Sequence, residues 1–236
     1  MGGGYCSVYE IERKWGKILD LFDLYIFTNG YFPFQYKGTF KNKLLVGFFE
    51  SDKYFADIKE ILKREFQVTG FEDNEYVMSI AKEICAYHSI CVGVRKGDFA
   101  AGKNKYYCDL CEPSYYIRGI QRIKDMVAEK EPISWKWKIY IFTDDVQWAK
   151  EHLELSDEVI YITSSVQGKI KPWEMLQLMT CFQYYVICNS SYFWWGQFLS
   201  KAENPFVVAP DIWRLSDQEL YRDIYEDHWL LLRPDE

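Results

Sequence analysis

Ser89-Ile90-Cys91-Val92-Gly93-Val94-Arg95-Lys96-Gly97-Asp98 is the stretch on which the fold of this chain turns. Its opening residues form a short apolar run, the pattern of a strand buried on both faces. Two cations, a glycine and a carboxylate then arrive where that strand must end. In an open α/β sheet the carboxyl ends of strands are where ligands bind. A guanidinium placed there offers a planar fork suited to phosphate and stays charged at any working pH. A solvated, charged surface turn is the competing reading of Arg95 and Lys96, and these residues alone do not separate the two.

The sequence on either side gives the stretch a context. Lys138 to Thr143, Val159 to Ile162, Tyr184 to Cys188 and Pro205 to Ala209 are further strand-like runs. Pro113-Ser114 opens a helix with Ile117, Ile120, Ile123 and Val127 on one face, and Asp144-Asp145 leads into a short helix ending near Leu153. Pro172 stands at a first helical position, followed by Met175, Leu178, Met179 and Phe182 along one side, and Ser191 begins another helix. Five strands alternating with four connecting segments predict a doubly wound parallel sheet with right-handed crossovers.

Upstream, residues 1–50 are rich in aromatics, and Leu44 to Phe49 reads as a short strand. Ser51 is placed to cap a helix running to about Phe66, with Phe55, Ile58 and Leu62 at helical spacing, and a second helix covers Asp73 to Cys85. The expected boundary lies at residues 86–88. It separates a smaller N-terminal α/β unit, 1–87, from a Rossmann-like unit, 88–236, with a helical tail. In that tail Ser216-Asp217-Gln218-Glu219 has the form of a capping box, Leu220 and Ile224 form its apolar stripe, and Trp229 to Leu232 packs back on the body.

Composition narrows the function. A net charge of −7 argues against a general nucleic-acid binder, yet a local cluster can still hold phosphate inside an acidic protein. No apolar run reaches the ~18 to 20 residues of a membrane span. Met1-Gly2-Gly3-Gly4-Tyr5 has neither the basic nor the apolar region of a signal peptide. Seven cysteines do not make a disulfide framework, so reduced thiols and a cytoplasmic location are expected. Cys108-Asp109-Leu110-Cys111 is a lone pair of thiols, and His88, His152 and His228 are distant in sequence, so a zinc site is not expected. The P-loop and the dinucleotide fingerprint are absent, which argues against a kinase-like NTPase and a dehydrogenase.

Three strand ends carry polar groups toward one rim of the expected sheet: Arg95, Lys96 and Asp98 on the first, Thr143, Asp144 and Asp145 on the second, Asn189, Ser190 and Ser191 on the fourth. The last set puts small hydroxyls and N–H groups at a helix N-terminus, a natural phosphate cradle, although Ser191 would equally serve as a simple cap. Convergence of all three on one rim predicts a diphosphate site. Asp144-Asp145 could hold a metal, but adjacent carboxylates at a helix start also cap it, and capping or ligand positioning is preferred.

These residues resemble a known family. Val92 to Asp98 resembles the HxRRGD motif of the inverting α-1,2-fucosyltransferases, glycosyltransferase family 11, and Ile141 to Trp148 is similar to the F-S-D-D-x-x-W motif. Trp173 to Cys181 followed by Ile187 to Gly196 resembles an acidic residue before L-M-x-x-C and then N-S-S-F-S-W-W. Val208 to Trp213 is similar to A-P-x-x-W, and Gly47 to Phe55 to G-Y-F-Q-S-x-K-Y-F. The matches run in order over about residues 45 to 215.

The resemblance implies a GT-B architecture, GDP-fucose as donor, a galactose-containing glycan as acceptor, and no cofactor or metal. It implies that Arg95 holds the donor diphosphate, with Lys96, Thr143, Asp144 and Asp145 near the donor. Asn189, Ser190 and Ser191 would line the phosphate cradle, and Glu174 would contact the guanine edge. Asp98 stands beside Arg95 in the catalytic motif, although an aspartate paired with a guanidinium is poorly suited to act as a base. Gly93 replaces the motif His, and Lys96 replaces its second Arg, keeping the charge without the bidentate geometry. The glycine-rich segment G-G-L-G-N-Q-x-F-Q-Y has no match, so a shortened N-terminal unit is expected. The alternatives are a catalytically degenerate nucleotide- or glycan-binding relative and a transferase using another nucleotide sugar.

Overall fold

The computed structural model describes residues 24–27, 31, 44–47, 49–97, 109–130, 136–164, 169–215 and 218–236. The chain forms two compact units, residues 1–57 with 217–226 and residues 58–216 with 227–236. In the first, strands β1 (Leu24–Phe27) and β2 (Leu44–Gly47) pair in parallel. A 3-10 helix over Gln218–Ile224 packs on a 3-10 turn at Asp52–Tyr54, where Lys53 pairs with Asp223. Residues 216 and 217 of the expected capping box, and the side chain of Leu220, lie outside the described residues.

The continuous helix expected from Ser51 to Phe66 is broken. Ser51 does cap, accepting the Lys53 N–H at 3.3 Å, but only for the turn at 52–54. Phe55 then leaves helical geometry at φ −141°, and a second turn covers Ala56–Ile58 before the short helix α1 (Lys59–Glu65). No residue of α1 is buried, so no apolar seam holds a longer helix together.

The larger unit is built on six parallel strands, where five were expected. They are β3 (His88–Val94), β4 (Trp137–Thr143), β5 (Glu158–Ile162), β6 (Tyr184–Ile187), β7 (Phe206–Pro210) and β8 (Leu230–Leu232), in the order β5-β4-β3-β6-β7-β8. The chain runs outward from β3 to β5, crosses back to β6 on the other side of β3, and continues to β8. The order therefore reverses between β3 and β6. In sheets of this kind that crevice is where ligands bind.

Helices cover both faces. On one lie α3 (Pro113–Lys130) and α4 (Val146–His152), joined by an edge-to-face contact of Tyr116 with Trp148. On the other lie α2 (Glu75–Ala86), α5 (Pro172–Met179) and α6 (Ser191–Phe198). The expected boundary at 86–88 does not separate compact units, because α2 packs against β3 and α5. The α3 stripe also differs from expectation by one residue. Ile117 is 38% exposed and Tyr116 takes its place above Ile120, Ile123 and Val127. Spacings of four, three and four residues follow the helix more closely than the 117-120-123 series. Gly119 lets this helix lie close on the sheet, since a Cβ there would meet Val186 at 2.7 Å. Among the described residues no helix is long and apolar enough to cross a membrane.

Candidate active site

The end of β4 organises the end of β3. Asp144 Oδ1 accepts the Lys96 N–H at 2.9 Å and Oδ2 accepts the Gly97 N–H at 3.1 Å. The same Oδ2 lies 3.2 Å from Arg95 Nε, and the Arg95 side chain is 41% exposed at the rim. Gly97 is required for this approach, because a Cβ there would lie 2.6 Å from Oδ2. Next to it, Asp145 caps α4 by accepting the Trp148 N–H at 2.9 Å, and its own N–H reaches Thr143 Oγ1 at 3.0 Å. The adjacent aspartates therefore divide two tasks, one holding a loop and one starting a helix. Among the described residues no three His, Cys, Asp or Glu side chains gather as a metal cluster.

Lys96 turns inward. Its side chain is 4% exposed, its ammonium pairs with Asp109 and donates to the Cys111 carbonyl at 3.0 Å, and it lies 3.8 Å from the centroid of the Trp148 ring. An ammonium satisfied by a carboxylate, a carbonyl and a ring face serves to order the loop. Burial raises the Asp109 carboxyl above its usual range, and Lys96 opposes that rise. Asp98, the other charged residue of this loop, lies outside the described residues.

Across the switch point, the chain leaves β6 through Cys188, Asn189 and Ser190. Cys188 N–H donates to Gly93 O at 3.2 Å, which ties the two strand ends together. Burial pushes the Cys188 thiol up to about 12, and the Arg95 backbone N–H at the sulfur partly opposes this. Asn189 is buried and donates to Trp213 O at 3.2 Å. The N-cap of α6 is Ser190 rather than Ser191, and its side chain makes no capping hydrogen bond. Ser191 is exposed on the first turn. A hydroxyl that does not cap its own helix is left for another acceptor or donor at the rim.

Gly93 has a structural reason. An ideal Cβ there would lie 2.4 Å from the Phe193 ring, which packs down from α6. The family motif quoted above has His at the first position and Ser at the second, so the two departures touch each other. Glu174 is also explained by packing. It is buried at the start of α5, where Oε2 accepts the Lys171 N–H at 2.7 Å and Oε1 accepts Asn74 Nδ2 at 3.0 Å. Asn74 in turn caps α2 through Val77 N–H at 3.3 Å. Tyr192 OH donates to Pro172 O at 2.6 Å, joining the first turns of α6 and α5.

The fold therefore brings Arg95, Thr143, Asp144, Asp145, Asn189, Ser190 and Ser191 to one rim, and buries Lys96 and Glu174 beneath it. Asn74, Asp109 and Phe193 support these residues without having been assigned a role from the sequence, whereas Trp148 closes the motif that begins at Ile141. Of the three, only Asn74 gave a local signal, as an N-cap residue before a helix. A guanidinium steadied by a carboxylate beside a helix N-terminus is equipped to hold an anionic group.

Sheet order and rim together define a Rossmann-like α/β protein with its polar groups at the topological switch point. The model of glycosyl transferase family 11 matches residues 24–233, and the chain belongs to that family. It is 28% identical over 173 residues to an α-1,2-colitosyltransferase of Escherichia coli, covering 71% of this chain and 55% of that protein. It is 26% identical over 170 residues to the O-antigen biosynthesis glycosyltransferase WbnK of Escherichia coli, covering 68% of this chain and 53% of that protein. The chain thus spans about half the length of these relatives.

Proposed function

We propose that this chain acts as an inverting, metal-independent GT-B glycosyltransferase that moves fucose from GDP-fucose to a galactose hydroxyl of a glycan, in α-1,2 linkage. The observation that carries this reading is Arg95, held by Asp144 at the end of β3, next to β6, the strand that leads into α6. Departure of GDP builds negative charge on the β-phosphate, and a preorganised guanidinium stabilises that charge as it develops. Ser190, Ser191 and the first N–H groups of α6 take the other phosphate oxygens, with Asn189, Thr143 and Asp145 shaping the cradle. Lys96 serves from beneath, by ordering the loop that carries Arg95. Glu174 meets the guanine edge in this scheme through lone pairs beyond the two that Lys171 and Asn74 occupy. Acceptor contacts fall to the loops at the rim.

Calorimetry with GDP tests the reading. Binding with Kd below millimolar is expected, and Arg95→Ala should weaken it by about 1.5–3 kcal/mol, the worth of a charge-assisted hydrogen bond. No heat at millimolar GDP sinks the proposal. EDTA is expected to leave both binding and transfer unchanged, whereas a metal held by Asp144-Asp145 requires a loss.

The similarity to a protein named α-1,2-colitosyltransferase supports a second reading of the donor, with colitose in place of fucose. Colitose is fucose without one ring hydroxyl. Thermal shifts and turnover with GDP-fucose, GDP-colitose, GDP-mannose and UDP-sugars, across a panel of galactosides, separate the two donors. GDP binding without transfer from any donor would instead mark a degenerate relative.

A further inference from the structure

Asp144 lies at the end of β4, but among the described residues the contacts of its carboxylate are made to the loop after β3. Three consecutive residues turn a donor toward this one carboxylate: the guanidinium of Arg95 at 3.2 Å, the N–H of Lys96 at 2.9 Å and the N–H of Gly97 at 3.1 Å. Two of them share Oδ2. An ionised carboxylate offers about four lone-pair sites and accepts charge-assisted bonds, so it suits three donors where a neutral amide would not. The backbone is shaped for this contact, since any side chain at position 97 would begin 2.6 Å from Oδ2. Lys96 anchors the same loop from the opposite side, under Trp148 of α4, whose N–H is held by Asp145.

We infer that Asp144 is a positioning residue: its carboxylate fixes the loop after β3 and sets the Arg95 guanidinium toward the diphosphate, touching neither the donor nor a metal. This rests on the proposed function, because it presumes that Arg95 takes the terminal phosphate. Contact with Nε fixes the plane of the guanidinium, so the fork is aimed before a ligand arrives. A metal at Asp144 would have to compete with three N–H donors for the same oxygens.

The test uses the whole chain, with GDP and GMP as probes, which differ only in the terminal phosphate. Arg95→Ala is expected to weaken GDP by about tenfold or more while changing GMP little. Asp144→Asn keeps the shape but sets an NH2 group against an N–H donor, and is expected to reduce the preference for GDP over GMP by a comparable factor. The double variant should bind GDP no more weakly than Arg95→Ala alone, within about twofold. Gly97→Ala leaves both charged residues in place and displaces the carboxylate, and should lose the same preference. It keeps the test open if Asp144→Asn fails to fold, which a thermal melt reports.

If Arg95→Ala leaves GDP binding unchanged, the proposed function fails and the inference goes with it. If Arg95→Ala weakens GDP but Asp144→Asn and Gly97→Ala do not, the positioning role alone is overturned. Losses that multiply in the double variant, or GDP binding that depends on Mg²⁺ in the wild type and not in Asp144→Asn, overturn it as well, because Asp144 would then touch the donor or a metal directly.

Discussion

At the scale of single residues, the site is governed by two glycines placed where a side chain from elsewhere in the sequence comes too close for a Cβ. Gly97 admits the Asp144 carboxylate and Gly93 admits the Phe193 ring. The second case explains a departure that sequence comparison alone makes look like a loss. A side chain at 93 and a large one at 193 compete for the same volume, so a His-and-Ser pair and a Gly-and-Phe pair are alternative solutions to one packing problem. Phe193 is 4% exposed and Gly93 is buried, so neither can yield toward solvent. Gly93→Ala is therefore expected to cost about 1–3 kcal/mol through overpacking. Phe193→Ala leaves a cavity and should cost about 3–5 kcal/mol by itself. The double variant should be more stable than the sum of the two losses by at least about 1 kcal/mol, as measured by urea unfolding. Additive losses would mean that the two positions do not share space. Nothing in the residues 88–98 discloses this, since the partner of Gly93 lies a hundred positions further along the chain.

At the scale of elements, helix starts do the joining. Glu174 holds the first turn of α5 and the cap residue of α2 together, and Tyr192 holds α6 to α5. Glu174→Gln can keep one acceptor but turns an NH2 group toward Asn74 or Lys171, and should destabilise the protein by about 1–2 kcal/mol. A melting temperature equal to wild type would show that Glu174 is there for a ligand and not for the helices. Lys96→Met removes the cation between Asp109, Cys111 and Trp148 and is expected to cost about 2–3 kcal/mol, because it leaves a partly buried carboxylate without its partner. Strands β3, β4, β6 and β7 were legible because parallel strands buried on both faces read as continuous apolar runs, and the edge strand β5 because Val159 to Ile162 is a run of β-branched and aromatic residues. β8 was not, because it is an edge strand of three leucines with Leu231 40% exposed, and such a short run has no period to read. Residues 52–66 were misread for the opposite reason, since their apolar spacing fits a helix that nothing buries. The rim residues were legible by type and position. Their partners were not, because Asp144 to Gly97 and Glu174 to Asn74 are contacts across 47 and 100 positions of sequence.

At the scale of the molecule, the core of the sheet carries a consequence for pH. Cys91, Cys111 and Cys188 are free and buried within or beside β3 and β6, while Cys85 is exposed. Burial raises the Cys91 and Cys111 thiols well above their ordinary value, and Cys188 to about 12. For an acid whose folded pKa is raised, the stabilisation is fully present below the unfolded pKa, here 9.0, and is lost as pH rises beyond it. Above that pH the unfolded chain has released thiol protons that the native state still holds, so the free energy of unfolding falls. The slope is at most about 1.4 kcal/mol per pH unit for each such thiol. Urea unfolding midpoints should therefore stay level to about pH 8.5 and decline steadily toward pH 10.5. Cys188→Ala should flatten part of that decline while lowering the midpoint little at pH 7. The same burial predicts selective chemistry. Alkylation at pH 8 followed by peptide mapping should find Cys85 labelled and Cys91, Cys111 and Cys188 protected until the protein is unfolded. Labelling of Cys188 in the native state, or an unfolding midpoint that does not move between pH 8.5 and 10.5, would show that the switch-point crevice is open to water down to the sheet. A crevice that open would screen the Arg95 charge as solvent does, and the preorganised electrostatics assigned to that residue would lose their basis.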